Sequence, residues 1–304
     1  MRIKSILPPN IQYLLSALKG NVSHANKTWL YRDFVNWLLP SGITSFLLSI
    51  GYRYKGVHLS NKKLYNKHLN DKRCFVIGNG PSLKNMDLSL LKNEWTIGAN
   101  SFYMHKDADE SNLNYLCIGD PTFMEDNENN IKWHKLIEKK MPDTALLLNP
   151  VGSKIFKKYD IYSNHDIYYF HRGVSVQYYD EVNFNLTKPI NNGVTTGSML
   201  SIPLAIYLGF KEIILIGFDC NWLDNFEGSY HFYDKHKLYP IFDSSKADSR
   251  WPRYEDHLIN ALRDIMSHRL IAENTKKYKV DIKNATIGGR LDMYPRINYS
   301  EILF

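Results

Sequence analysis

The segment 78–83 (GNGPSL) has the composition of a phosphate-binding turn. It combines two glycines, an amide and a Pro-Ser helix entry directly after the apolar run 74–77. Glycines let the main chain approach a phosphate closely, and the first turn of a helix offers N–H groups to an anion. The segment lacks the lysine of a P-loop and does not complete the GxGxxG pattern. It predicts a ligand-binding turn built by Gly78, Asn79, Gly80, Pro81 and Ser82, with a purely structural strand-to-helix turn as the alternative.

Polar residues also follow three later apolar runs. Asn100 and Ser101 follow the run 95–99, Asp120 follows 114–119, and Gly217 and Asp219 follow 212–216. Amide, hydroxyl and carboxylate groups at one edge of a sheet suit ribose hydroxyls and the edge of a base. These five residues are therefore candidates for the same ligand site.

A cluster of small and hydroxyl residues occupies positions 191–198 (NNGVTTGS). It precedes an apolar helical stretch, so Thr195 and Thr196 are natural helix caps. The same hydroxyls are natural ligands for a phosphate or a sugar at a helix start. Capping alone would explain one threonine, and we therefore include both in the candidate site.

Short apolar runs alternate with helical patterns from residue 74 onwards. The predicted strands are 74–80, 95–100, 114–120, 144–150, 166–170, 212–219 and 278–282. The predicted helices are 83–91, 129–140, 153–159, 196–208 and 253–277. This alternation predicts an α/β fold with a Rossmann-like, doubly wound and mostly parallel sheet. Such sheets bind ligands beyond the carboxyl ends of their strands, where the candidate residues fall.

The sequence pattern of residues 1–72 predicts a basic, helical N-terminal extension. We expect the sheet domain to span 73–304. The segment 29–50 carries charged residues and Pro40, so it does not span a membrane. Its apolar stripe fits either a membrane interface or packing on the main domain. The beginning of the chain lacks a signal-peptide core, which predicts a cytoplasmic protein, peripheral on the inner face of the membrane if the stripe binds lipid.

The bulk composition narrows the ligand class. The formal net charge of +7 among 304 residues favours an acidic ligand such as a sugar nucleotide or an anionic membrane. The basic residues are spread along the chain rather than gathered on a recognisable module, so we expect no nucleic-acid partner. Cys74, Cys117 and Cys220 lie singly in apolar runs, which predicts buried thiols rather than a metal site or disulfides.

The order of several motifs resembles a known family. GNGPSL at 78–83, NSFY at 100–103, VTTG at 194–197, LGFKEIILIGFD at 208–219 and SYHFYD at 229–234 look like the motifs of the bacterial lipooligosaccharide and capsule sialyltransferases. The same order resembles polysaccharide-locus proteins of the MptE-like group. The resemblance covers about residues 74–290 and implies a sialyltransferase-like variant of the GT-A fold.

The resemblance implies roles for individual residues. The first Gly-Asn-Gly turn and Asn100 would hold the cytidine monophosphate of a CMP-sugar donor. Tyr230 would help the phosphate leave, whereas Asn221 stands where the family has a second tyrosine. A histidine would deprotonate the acceptor hydroxyl, without a metal or a further cofactor. His231, in a loop, and His257, in a predicted helix, are the two candidates, and we favour His231 because loops carry function more often than helix interiors do.

The sequence thus predicts a glycosyltransferase that moves sialic acid or a related sugar to a cell-surface glycan or glycolipid. Two alternatives stay open. One is a pterin diphosphokinase that binds ATP and magnesium through carboxylates such as Asp120 and Asp219. The other is a non-catalytic nucleotide-binding or membrane-binding protein. Neither the donor sugar nor the oligomeric state is fixed by the sequence, and a homo-oligomer is compatible with it.

Overall fold

A computed structural model describes residues 43, 46–47, 50, 54–171, 182–190, 198–224, 231–233 and 254–302. Its centre is a seven-stranded sheet. The strands are β1 (Cys74–Ile77), β2 (Trp95–Ala99), β3 (Tyr115–Ile118), β4 (Ala145–Leu148), β5 (Ile167–Tyr169), β6 (Glu212–Ile216) and β7 (Asp281–Asn284). Their order is β5-β4-β3-β2-β1-β6-β7, and each neighbouring pair is parallel. The predicted doubly wound α/β fold is confirmed.

Five α-helices connect or flank the strands within the described residues. They are α1 (Glu128–Lys140), α2 (Ser153–Tyr159), α3 (Ser201–Leu208), α4 (Tyr254–Thr275) and α5 (Tyr299–Ile302). Short 3-10 helices occupy Tyr54–Leu64, Pro81–Asn85, Ser89–Leu91, Phe102–Met104, Pro121–Met124, Pro150–Gly152, Ser198–Leu200 and Lys276–Tyr278. The predicted helix 83–91 is thus two 3-10 segments. They are separated where the Asp87 carboxylate accepts a hydrogen bond from the Ser89 main-chain N–H (3.0 Å).

The central strands are largely apolar because both faces of the sheet are covered. In β1, Cys74 and Val76 contribute to the core on one face, and Phe75 and Ile77 contribute to the core on the other. Alternate residues of a strand point to opposite faces, so a sheet buried on both sides needs an unbroken apolar run. All eight residues of α3 are buried, and six of them belong to the core on the first of these faces.

Two of the three cysteines are buried in strands, as predicted. Cys74 in β1 and Cys117 in β3 are buried, and Cys220 is half-buried just after β6. Strand β7 begins at Asp281, later than the predicted 278, because a 3-10 turn precedes it and Lys279 adopts a left-handed conformation (φ 53°).

Part of the N-terminal extension packs on the sheet domain. The Asn61 side-chain amide donates to the main-chain carbonyls of Tyr169 (2.6 Å) and Leu186 (2.8 Å). The His68 ring hydrogen-bonds to the Tyr115 hydroxyl through Nε2 (2.8 Å). Residues 1–42, and most of the apolar stripe predicted at 29–50, lie outside the described residues. Among the helices that are described, none is long and apolar enough to cross a membrane.

Candidate functional site

The site lies where the sheet changes its winding direction. From β1 the chain moves to β2 on one side, whereas β6, the neighbour of β1 on the other side, leads to β7. Loops that leave two adjacent strands in opposite directions open a crevice beyond the carboxyl ends of those strands. In this protein the crevice is bounded by the turns that follow β1 and β6.

The turn after β1 is glycine-rich because it is pressed against the end of β6. The main-chain N–H of Gly78 donates to Ile216 (2.8 Å), and that of Gly80 donates to Gly217 (2.9 Å). A Cβ atom at Gly78 would lie 2.3 Å from the Gly217 carbonyl oxygen, and one at Gly80 would lie 1.8 Å from Asp219 Oδ2. Packing within the protein therefore requires both glycines, independently of any bound phosphate.

Asp219 fixes the entry to the 3-10 helix after this turn. Its carboxylate accepts hydrogen bonds from the Ser82 main-chain N–H (3.0 Å) and the Ser82 hydroxyl (2.8 Å). Burial raises the pKa of the Asp219 carboxyl, and the bonds from Ser82 lower it by a smaller amount. Both carboxylate oxygens are thus engaged in joining β1 to β6.

A cavity of about 140 Å³ opens above these two turns. It is lined by residues that follow β1, β2 and β6, by the start of the segment before α3, by the loop residue His231 and by α4. The lining residues are Asn79, Gly80, Asn100, Ser198, Gly217, Phe218, Asp219, Cys220, Asn221, Trp222, His231, Asp264 and His268. Five of the residues predicted for ligand binding, together with His231, therefore converge on one cavity.

Asn79 and Asn100 line the cavity, and each has a buried side-chain acceptor atom. Asn79 is 5% exposed, and its Nδ2 donates to the Ala99 carbonyl (2.9 Å), which fixes the orientation of the amide. Within the described part of the chain, neither Asn79 Oδ1 nor Asn100 Oδ1 has a hydrogen-bond partner, although both atoms are buried. A buried acceptor without a partner is costly, so a ligand that donates to these oxygens would be favoured.

Asn100 also has an unusual main-chain conformation. Its φ of 48° places it in the left-handed region, which asparagine tolerates better than most residues. Its main-chain N–H donates to the Cys117 carbonyl (3.0 Å). The chain thus turns sharply after β2 and delivers the amide to the cavity.

His231 lies on the wall of the cavity because its loop is tied to the turn after β1. The next residue, Phe232, donates its main-chain N–H to the Asn79 carbonyl (3.0 Å) and packs its ring against His105 (centroids 5.2 Å apart). His231 itself is half-buried and packs against the ring of Tyr233 (4.8 Å). The preferred histidine of the sequence analysis is therefore beside the predicted nucleotide-binding residues.

Helix α4 contributes two residues that sequence reasoning missed. Asp264 and His268 are 2% and 1% exposed, and both line the cavity. Their spacing of four residues places them on one face of the helix. That spacing is the only signal in the sequence, and it does not distinguish a ligand-facing pair from a core pair.

Several predicted site residues lie away from the cavity. Ser101 is fully buried and accepts a hydrogen bond from Trp133 Nε1 (3.3 Å). Asp120 is exposed at the end of β3, two strands from β1, and accepts from the Thr122 main-chain N–H (2.9 Å). Gly78 and Pro81 belong to the turn and not to the lining. Their roles in binding stay predictions.

Other predicted residues cannot be placed. Thr195, Thr196 and Tyr230 lie outside the described residues, although Ser198, which follows the two threonines closely, lines the cavity. His257 lies in the first turns of α4, and its side chain is outside the description.

The segment 283–290 closes the end of the sheet. Thr286 accepts a hydrogen bond from the Phe218 main-chain N–H (3.0 Å), and Asn284 Nδ2 donates to the Leu291 carbonyl (2.9 Å). Both side chains are buried, and neither lines the cavity. These contacts give Asn284 and Thr286 a structural role.

The described lining of the cavity is acidic, although the chain has a net positive charge. Its described lining contains two carboxylates, Asp219 and Asp264, and neither lysine nor arginine. Among the described residues, no group of three or more His, Cys, Asp or Glu side chains is arranged to hold a metal ion. The described wall is thus rich in hydrogen-bond acceptors.

Comparisons with known proteins concern the fold alone. No protein-family model and no curated protein matches the sequence. The MAf glycosyltransferase from Magnetospirillum magneticum AMB-1 is similar with a TM-score of 0.47 and 12% identity, over 80% of this chain and 38% of that one. The sialyltransferase CstII from Campylobacter jejuni, solved with the substrate analogue CMP-3FNeuAc, is similar with a TM-score of 0.40 and 20% identity, over 70% of this chain and 81% of that one. This chain thus spans 38% of the length of the first of these proteins.

Proposed function

We propose that the protein is a glycosyltransferase that binds a CMP-sugar in the cavity between the β1 and β6 turns. The sugar is sialic acid or a related nonulosonic acid, and the acceptor is a cell-surface glycan or glycolipid presented at the inner face of the membrane. The transfer uses no metal ion. One observation carries the proposal, namely that the amides of Asn79 and Asn100 converge on the cavity at the switch point of the sheet.

The chemistry of the two asparagines suits a nucleoside. Asn79 Oδ1 and Asn100 Oδ1 are buried acceptors without partners in the described structure. Ribose hydroxyls and the exocyclic amine of cytosine are donors, so a nucleoside would satisfy both oxygens. Ser198, Asn221 and Trp222 also line the cavity, and their side chains carry donors that suit the leaving phosphate.

His231 supplies the base in this proposal. It lies on the wall of the same cavity, and its loop is anchored to Asn79. A histidine is suited to take the proton of an acceptor hydroxyl near neutral pH as the sugar is transferred. The transfer forms a bond from the acceptor oxygen to the anomeric carbon and breaks the bond from that carbon to the phosphate oxygen, so CMP leaves.

Ligand binding by the full-length protein tests the proposal. Calorimetric titrations with CMP, UDP, GDP and ATP, each in excess EDTA and again with magnesium, separate the candidate functions. We expect CMP to bind in EDTA and to raise the melting temperature by mass action. Binding of ATP alone, and only with magnesium, would instead support the diphosphokinase alternative. Binding of none of the four would contradict the transferase proposal.

A pair of matched variants locates the binding. Asn79→Ala removes an amide that lines the cavity, whereas Asn130→Ala removes a buried amide that bonds to the carbonyls of Thr122 (2.8 Å) and Glu125 (3.1 Å) away from it. Both variants lose buried hydrogen bonds and should lose stability. Only Asn79→Ala should weaken CMP binding, by about tenfold or more if one buried hydrogen bond to the ligand is lost.

A further inference from the structure

Asp264 and His268 form one turn of α4 that faces the cavity. The two side chains are almost completely buried, and each lines the cavity opposite the β1 and β6 turns. The ring of His268 also stands edge-on to Phe218, with centroids 5.8 Å apart. A buried polar pair of this kind needs partners, and the partners identify what the pair can do.

Tyr294 contacts His268 at two atoms. The Tyr294 hydroxyl oxygen lies 3.2 Å from the His268 main-chain carbonyl and 3.1 Å from His268 Nδ1. When the hydroxyl donates to the carbonyl, its oxygen accepts from Nδ1–H. In that arrangement the lone pair of the ring is on Nε2.

The lone pair of His268 is available to a ligand. Nε2 makes no hydrogen bond to any residue in the described ranges, and the residue lines the cavity. Burial lowers the pKa of His268 to about 3, so the ring is neutral at physiological pH. His268 is thus a neutral ring rather than a cation, and a neutral ring has one nitrogen that can accept a hydrogen bond.

The surrounding wall has the same hydrogen-bonding character. Asn79 Oδ1 and Asn100 Oδ1 are buried acceptors without described partners, and Asp264 adds a carboxylate. No lysine or arginine lies in the described lining. These acceptors are complementary to a ligand portion with O–H or N–H donors, such as the ribose or the base of a nucleotide.

We propose that His268 reads a hydrogen-bond donor of the bound nucleoside through Nε2 and that Tyr294 is the positioning residue that keeps Nε2 unprotonated. His268 is thereby a specificity-determining residue of the site. The donor belongs either to the ribose hydroxyls or to the exocyclic amine of cytosine. The inference rests on the proposed function, because it assumes that a nucleotide occupies the cavity.

Binding selectivity tests the inference, because a merely structural role would weaken all ligands equally. Affinities are measured calorimetrically for CMP, 2′-deoxy-CMP, 3′-deoxy-CMP and UMP. The wild-type protein should prefer CMP over the analogue that lacks the recognised donor by about tenfold, the effect of one unsatisfied buried acceptor. The deoxy analogues and UMP distinguish the ribose from the base.

Two variants remove the acceptor or its support. His268→Phe should bind CMP and the analogue that lacks the recognised donor about equally well, since the lone pair is gone. Tyr294→Phe should reduce it partly, because the ring can then adopt either tautomer. Tyr294→Phe removes a single oxygen atom and keeps the test available if His268→Phe does not fold.

A second His–Tyr pair provides the matched control. His134 is also 1% exposed, and its Nδ1 lies 2.9 Å from the Tyr162 hydroxyl, but neither residue lines the cavity. His134→Phe and Tyr162→Phe should leave the wild-type preference unchanged.

The outcomes separate the two proposals. If the wild type binds CMP but shows no preference among the four ligands, or if both cavity variants keep the wild-type preference, the role of His268 is overturned and the proposed function stands. If the wild type binds no nucleotide, both are overturned.

Discussion

Ser82 and Asp219 join the two turns that frame the cavity, through a main-chain N–H bond of 3.0 Å and a hydroxyl bond of 2.8 Å to one carboxylate. The two residues are 137 positions apart in the chain. Their pairing makes the β1 turn, the end of β6 and the wall of the cavity one rigid unit. Changes in this unit should therefore affect stability first and ligand binding as a consequence.

Ser82→Ala should lower the free energy of unfolding by about 1–3 kcal/mol, because a buried carboxylate loses one of its hydrogen bonds. Urea unfolding followed by circular dichroism measures the loss. Ser89→Ala is the control, since the Ser89 N–H and hydroxyl also bond to one carboxylate, that of Asp87, but at an exposed position. The control should change stability by less than about 0.5 kcal/mol. Equal losses in the two variants would refute a special role for the buried pair.

Gly80→Ala should destabilise the protein by at least about 1–3 kcal/mol, because the added methyl group overlaps Asp219 Oδ2 and lies 2.7 Å from the Gly217 carbonyl. Gly288→Ala serves as the comparison, as its Cβ would meet nothing within 4 Å although its φ of 68° is strained for alanine. The comparison variant should therefore cost only about 1–2 kcal/mol. A Gly80→Ala protein as stable as the wild type would show that the β1 and β6 turns are less closely packed than described.

Asn100→Gly should weaken CMP binding without a loss of stability. Glycine adopts the left-handed conformation freely, so only the amide is removed from the cavity. Asn112→Gly is closely matched, because Asn112 has the same φ of 48° and is exposed away from the cavity. Calorimetry should show weaker CMP binding, by about tenfold, in the first variant alone. Unchanged affinity in Asn100→Gly would remove Asn100 from the site.

His231→Gln should slow sugar transfer by about 10²–10⁴-fold while CMP binding is retained, as expected for loss of a general base. The assay follows CMP release from CMP-N-acetylneuraminic acid with a lipooligosaccharide acceptor. His257→Gln should leave turnover near the wild-type value. The opposite ranking would assign the base to His257.

Stability should fall as the pH drops below 6.5, because two buried histidines resist protonation. Burial lowers the pKa of His134 to about 4 and that of His268 to about 3, whereas the unfolded chain binds these protons near pH 6.5. The unfolded state therefore gains protons first, and between pH 7.5 and 5.0 each histidine should cost about 2 kcal/mol. Urea unfolding of His134→Gln at both pH values should show a smaller loss than the wild type. An identical loss would contradict a neutral, buried His134 in the native state.

The strands and the parallel fold were predictable because each apolar run is bounded by polar or turn residues. The runs at 74–77 and 213–216 are continuous in Val, Ile, Leu, Phe and Cys, which is typical of strands covered on both faces. The boundaries were less predictable. The segment 83–91 has a helical apolar pattern, but Asp87 caps the local turn and divides it.

The site was predictable only where a strand end marked it. Asn79 and Asn100 follow strands and line the cavity. The glycines on either side of Asn79 are required by the end of β6, and the sequence does not reveal that register. His268 lines the cavity but was not predicted, because the sequence does not show which face of α4 meets the cavity or that Tyr294, 26 residues away, contacts the ring. Asp120 was included because it follows β3, although strand order places it two strands from β1.

Hydrogen exchange of the protein with and without saturating CMP shows where the nucleotide binds, and it needs no acceptor. We expect slower exchange of the main-chain amides at 79–83, 100–102 and 217–222, at the carboxyl ends of β1, β2 and β6. Protection confined to other parts of the chain, or no protection by CMP at any concentration, would contradict a nucleotide site between the β1 and β6 turns.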